Sequence, residues 1–238
     1  MRLMQLGIKD LLVRWRSVIM MGLTIAIPIT LFLVLNAYET GLEKRYQDLR
    51  EDYLLVQETG SMGEFYGSRL PISLKDELLQ MGAPWAEAEI HTVTGTSYDD
   101  AVLLRGINPA NYGGFEQFTL LVGRTLQPSD PERSAVIGVK LAEKWNTYPG
   151  GSIRIRGRDF RVVGVFSSGT FADYEAWVSI ADAQALLGWD NDVSVFVIPA
   201  GDFFKAGETI KPGVSVVQKG ERGRLYSKSG SQSSPFSG

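Results

Sequence analysis

The 238-residue chain has no cysteine and a single histidine, His91. With no cysteine there can be no disulfides and no thiolate metal sites, which suits an oxidising compartment without requiring one. His91 has no H-E-x-x-H pattern around it and lies in an apolar strand-like run, so it reads as a structural histidine rather than a metal ligand. No G-x-S-x-G turn accompanies it, which argues against a Ser-His-Asp arrangement. There is no G-x-x-x-x-G-K-[ST] loop either, so the chain is not expected to hydrolyse ATP by that route. A net charge of −3 leaves no basic field of the kind a dedicated nucleic-acid binder carries. These absences predict a protein that is not an enzyme, with no catalytic, cofactor-binding or metal-ligating residues and no nucleic-acid partner.

Long apolar runs are also scarce, and the one present is decisive. Ser17 to Ala37, SVIMMGLTIAIPITLFLVLNA, is 21 residues without Asp, Glu, Lys, Arg or His. At helical rise it spans roughly 32 Å, enough to cross a bilayer. Arg2, Lys9, Arg14 and Arg16 precede it against one acid, Asp10, whereas acids outnumber bases from Tyr38 to Asp52. Basic flanks stay cytoplasmic, so the N-terminus is predicted inside and everything after Ala37 outside. A cleaved signal would want a shorter apolar core and small residues before the cut, but Leu35 would fill position −3 before Ala37, so a retained anchor is the expectation. Pro28 reads as an ordinary transmembrane proline. A bacterial inner-membrane protein fits this topology.

The regions then follow from periodicity. Residues 1–16 form a basic, amphipathic cytoplasmic segment, either a helix lying on the inner membrane surface or a plain extension of the span. Beyond the span of residues 17–37, Leu42, Tyr46, Leu49, Tyr53 and Val56 recur at spacings of 4, 3, 4 and 3. That seam predicts a helical stalk over residues 38–56 that needs a partner helix, although Tyr53 to Glu58 is also strand-like. From residue 57 to 218 the texture is mixed α+β with prominent hairpins. Helices are expected at Ser73–Met81, with Ser73 as N-cap, at Val139–Trp145 and at Ile180–Leu187. Strands are expected at Glu87–Ser97, Val102–Ile107, Ala135–Ile137, Val193–Ile198 and Gly213–Val217. Ser152–Phe166 reads as a hairpin around the turn Gly157, Arg158, Asp159. Asn108–Arg133, broken only by Phe118–Val122, reads as an irregular insertion or smaller lobe. Residues 219–238 are too polar to pack and are predicted to be a disordered tail.

Three polar groupings remain. Asp99 with Asp100, and Asp190 with Asp192, are the acidic pairs nearest to a cation site, but acids beside turns usually serve backbone geometry. Arg154, Arg156, Arg158 and Arg161 form the densest basic cluster. A solvated strand face is its plainer reading, and lipid head groups or an acidic partner are the functional one.

From Ser134 to Phe166 the sequence SAVIGVKLAEKWNTYPGGSIRIRGRDFRVVGVF resembles the periplasmic core domain of FtsX-like and MacB-like ABC transporter permeases. The matching positions are Ile137 and Gly138, Leu141 and Ala142, Gly150 and Gly151, then Ile153, Ile155, Gly157, Phe160, Val162, Val163, Gly164 and Val165. The resemblance implies that residues 57–218 are an extracytoplasmic MacB-like domain. It also implies a partner cytosolic ABC ATPase on a separate chain, with a membrane fusion protein or a second permease copy as further partners. ATP-driven motion carried through the stalk would then export a substrate or act mechanically outside. Family members continue into a second stalk helix and three more spans, but here no later apolar run approaches 18 residues and the tail after Arg224 resembles a foreign ending. The chain therefore reads as a permease subunit truncated before those spans, or a permease fragment. The alternative is a single-span, membrane-anchored extracytoplasmic binding or sensory protein without transport.

Overall fold

Trp15–Tyr46 forms one 32-residue helix, α1. Every large apolar residue described between Ile19 and Leu35 is exposed, a surface that water would penalise and hydrocarbon would not. Two polar side chains within it turn back on the helix. Thr24 Oγ1 donates to the Met20 carbonyl at 2.8 Å and Asn36 Nδ2 to the Phe32 carbonyl at 3.0 Å. Such i−4 bonds are how hydroxyls and amides satisfy themselves in lipid. The helix runs through Pro28 without ending. The computed structural model describes residues 15–46, 52–61, 65–96, 101–112 and 117–218. Most of the segment expected on the cytoplasmic side, up to residue 14, and the tail expected after residue 218 lie outside them.

The chain divides into two units, Met1–Lys44 and Arg45–Gly238. The second is built on an 11-stranded sheet. Its strands are β1 (Tyr53–Glu58), β3 (Glu87–Gly95), β4 (Ala101–Ile107), β5 (Thr119–Gly123), β6 (Ser134–Gly138), β7 (Ser152–Ile155), β8 (Arg158–Ser167), β9 (Glu175–Ser179), β11 (Val195–Pro199), β12 (Thr209–Lys211) and β13 (Val214–Gln218). β2 (Leu70–Pro71) and β10 (Asp192–Val193) make a small separate pair. The order is β12-β13-β1-β11-β3-β4-β9-β6-β8-β5, with β7 paired to β8. β3 joins the two halves. Its residues Glu87–Glu89 pair with β11, and Ile90–Gly95 pair with β4.

Three short helices pack on this sheet: α2 (Leu74–Gln80), α3 (Val139–Trp145) and α4 (Ile180–Leu187). α3 and the β7–β8 hairpin connect β6 to its parallel neighbour β8. The main core is one face of the sheet, where Ile90, Leu104, Ile137, Phe160, Val162, Ala176 and Val178 meet Leu74, Leu78, Leu141 and Ala183 from the helices. α4 starts at Ser179, whose hydroxyl accepts from the Asp182 N–H at 3.0 Å, and it ends at Gly188 in the left-handed region, φ 70°.

Several expectations need correction. The helical seam to Val56 stops short, because Tyr53 and Val56 belong to β1, laddered between β11 and β13 with Leu54, Leu55 and Val56 all buried. Leu49 lies outside the described residues. Ser73 makes no side-chain cap, since it already has helical dihedrals. The β7–β8 turn is Arg156–Gly157, with φ of 46° and 78°, so Arg158 and Asp159 are already in the strand. Positive φ at both central residues is the two-residue hairpin geometry that matches strand twist. The supposed irregular stretch contributes β5 to the main sheet. β9 and β12 are additional strands with no counterpart in the sequence reading.

Candidate functional site

Strand periodicity places five polar or aromatic residues on the sheet face opposite the main core. Glu89 and His91 are two apart on β3, His91 faces Arg105 on β4, and Arg105 faces Trp177 on β9, two residues after Glu175. The Arg105 guanidinium holds Glu175 at two points, Nε to Oε2 at 2.7 Å and Nη2 to Oε1 at 3.1 Å, and reaches Glu89 Oε2 at 3.3 Å. His91 Nε2 lies 2.5 Å from Glu89 Oε2, and Trp177 Nε1 donates to Glu175 Oε2 at 2.8 Å. The charges are sealed in: Glu89 and Glu175 are 1% exposed and Arg105 4%. Phe65 stacks on the His91 ring at 5.3 Å, and the Arg105 guanidinium sits 5.8 Å from the Trp177 ring.

The network sits where β3 changes partners. Ser194, between β10 and β11, bridges that point: its hydroxyl accepts from the His91 N–H and donates to the Glu89 carbonyl, and its N–H donates to the same carbonyl at 3.1 Å. Ser68 Oγ in turn donates to the Ser194 carbonyl. Glutamate, histidine and serine are thus neighbours, but the serine hydroxyl serves the backbone, and the chemistry they support is a buried ionic tie between sheet halves. Beyond the network the same face is aromatic, with Tyr112, Phe118, Phe166 and Trp177 in edge and stacked contacts. Burial pushes the Tyr112 phenol up from its ordinary value, while its oxygen accepts from the Leu126 N–H at 3.1 Å.

The remaining sequence candidates scatter. Asp99 and Asp100 lie outside the described residues. Asp192 pairs with Arg69 at 2.6 Å, while Asp190 is exposed beyond the end of α4. No cluster of three or more potential metal ligands occurs among the described residues. The four arginines are exposed on the β7–β8 hairpin, where Arg154 stands 3.7 Å from Asp159. Arg161 borders an open cleft of about 200 Å³ together with Arg124. Arg124 is already committed to Asp130, whose carboxyl that guanidinium holds below the usual range. The buried network escaped the sequence reading because its members are 70 or more positions apart at the extremes and β9 went unrecognised. The one available signal was Glu89 and His91 at strand spacing inside an apolar run.

The glycines of the Ser134–Phe166 pattern have structural reasons. A Cβ on Gly138 would lie 2.3 Å from the Asp173 carbonyl oxygen, and one on Gly164 would lie 2.1 Å from that of Arg124. The family model of the MacB-like periplasmic core domain matches residues 17–211, taking in most of the apolar helix and nearly all of the sheet domain. The chain belongs to the MacB-like periplasmic core domain family. Two solved structures share the MacB-like fold. The periplasmic region of MacB from Actinobacillus actinomycetemcomitans aligns with a TM-score of 0.52 at 13% identity, covering 80% of this chain and 99% of that one. The extracellular domain of the noncanonic ABC-type transporter YknZ from Gram-positive bacteria aligns with a TM-score of 0.53 at 19% identity, covering 70% of this chain and 100% of that one. Family membership and the apolar helix together mark a membrane protein with an extracytoplasmic MacB-like domain, of the permease type.

Proposed function

We propose that the chain is a permease subunit, or part of one, in a MacB/FtsX-type ABC transporter of the bacterial inner membrane. Its N-terminus faces the cytoplasm and its sheet domain, from Tyr53 onward, faces outward. A cytosolic ATPase on another chain supplies the energy, and the sheet domain meets partners outside. The observation that carries this reading is that one family model runs continuously through α1 and the sheet domain, residues 17–211. The sequence given contains no phosphate loop, which is compatible with an ATPase supplied from elsewhere.

Two measurements test it. Because the protein has no native cysteine, Gln5→Cys and Arg156→Cys give clean topology reporters. A membrane-impermeant maleimide applied to whole spheroplasts is expected to label position 156 and spare position 5 until lysis; the reverse pattern overturns the orientation. Purification in mild detergent is expected to recover an ATPase containing a phosphate loop. Its consistent absence, with the sheet domain retaining a small ligand instead, would favour a binding or sensory protein.

A further inference from the structure

One edge of the sheet is interrupted. β6 lines one side of β8 from Arg161 to Phe166. On the other side β8 pairs first with β7, over Arg158–Arg161, and then with β5, over Gly164–Ser167. Around the junction of these two edge strands opens the cleft bounded by Arg124, Pro131, Ser134, Pro149, Arg161 and Val163. Its wall is built to close tolerance. Gly123, at φ +80°, leaves a Cβ only 2.3 Å from the Val163 carbonyl oxygen and 2.8 Å from Pro149, so the chain can turn there only without a side chain.

Among the described residues the charge around this cleft is unbalanced, with Arg161 in its lining and Arg133 just outside it. Arg124 is held by both carboxylate oxygens of Asp130. Arg161 and Arg133 are exposed, and among the described residues neither guanidinium has an ion-pair or hydrogen-bond partner. The two are neighbours, since the Arg161 N–H donates to the Arg133 carbonyl at 2.8 Å. Arg133 is also held at φ +64°, a conformation that non-glycine residues seldom adopt, with its own N–H anchored on Asp182 Oδ1 at 3.0 Å.

The adjoining edge is open and apolar. Among the described residues β5 ends the sheet, and Leu120, Leu121 and Val122 are all exposed along it. An end strand presents unpaired N–H and C=O groups, and proteins usually guard such an edge with charge or proline. A strand edge asks for donors and acceptors in alternation, which a polypeptide main chain supplies; inorganic phosphate or an anionic lipid surface matches the guanidinium groups alone.

We propose that β5 and the cleft beside it receive an extended acidic segment of a partner protein. The segment's main chain adds a strand to β5, its apolar side chains cover Leu121 and Val122, and its carboxylates lie against Arg161 and Arg133. This deepens the partner-binding role given to the sheet domain and rests on that part of the reading, though not on the ATPase.

The test uses the full chain in nanodiscs of neutral lipid and a fluorescent peptide that alternates valine and threonine and ends in two glutamates, followed by anisotropy. Saturable binding is expected, weakened at least about tenfold by the double change Arg133→Glu and Arg161→Glu. The same peptide ending in two lysines is expected to prefer that double variant over the native protein. Val122→Lys, which alters the edge and not the arginines, is expected to weaken the acidic peptide as well. The proposal fails if no binding occurs up to millimolar peptide, or if a version ending in two glutamines binds equally. It also fails if inorganic phosphate or phosphatidylglycerol vesicles bind through Arg161 while the peptide does not, which would make this an anion or lipid site. ATPase recovery is scored separately, so losing the transport reading and losing this one give different results.

Discussion

The two faces of the sheet are made by different physics. On one, Leu104, Ile90, Ala176 and Val178 meet the helices and stability comes from excluding water. On the other, one residue along each of those strands, Arg105, Glu89, His91, Glu175 and Trp177 form an ionic and aromatic network. Apolar burial is non-directional and tolerates repacking. A buried ion pair recovers its desolvation cost only in one geometry, so it fixes register and partner more than it adds net stability. The network lies where β3 leaves β11 for β4, and a one-residue slip of β3 there would turn Glu89 and His91 onto the apolar face.

Unequal damage to the two faces should expose this difference. Arg105→Met strands two buried carboxylates and is expected to cost about 3–5 kcal/mol in urea unfolding. Pairing it with Glu175→Gln should show strong non-additivity, and additive losses would mean the two residues are not coupled. On the apolar face, Leu104→Ala is expected to cost about 2–5 kcal/mol through the cavity it leaves, additively with changes on the ionic face more than 7–10 Å away. Gly138→Ala forces a methyl against the Asp173 carbonyl and is expected to cost about 1–3 kcal/mol, read as a lowered Tm.

The smallest effect belongs to the surface pair Arg124–Asp130. The Arg124 hydrogen bonds hold the Asp130 carboxyl below its unfolded value. The folded state therefore binds that proton less readily than the unfolded state does. The resulting stability is present above the unfolded carboxylate pKa of about 4 and is lost as pH falls through the lowered folded value. With Arg124 44% exposed, Asp130→Asn is expected to cost about 1 kcal/mol or less at pH 7 and to flatten the acid limb of stability below the unfolded carboxylate pKa of about 4. An unchanged acid limb would show that Asp130 titrates normally.

How much was legible depended on whether the signal was local. The helices at Val139–Trp145 and Ile180–Leu187 were readable to the residue, because local signals mark their ends, Gly188 for the second and the Pro149, Gly150 and Gly151 turn beyond the first. The stalk was overrun because Tyr53 and Val56 satisfy a heptad seam and a strand equally, and only pairing with β11 and β13 decides between them. β9 was missed because Glu175 and Trp177 break the apolar alternation; they face the ionic network, not solvent.

Composition and order alone established the apolar span, its basic flank, the α+β texture and the resemblance at Ser134–Phe166, since each is written in neighbouring residues. The tertiary structure alone decided that Glu89, His91, Arg105 and Glu175 share one buried site, and that Arg161, without an ion-pair partner among the described residues, lines the cleft where β7 and β5 meet along β8. Those groupings are made by strand order, and strand order depends on contacts between residues far apart in the chain, which no local pattern records.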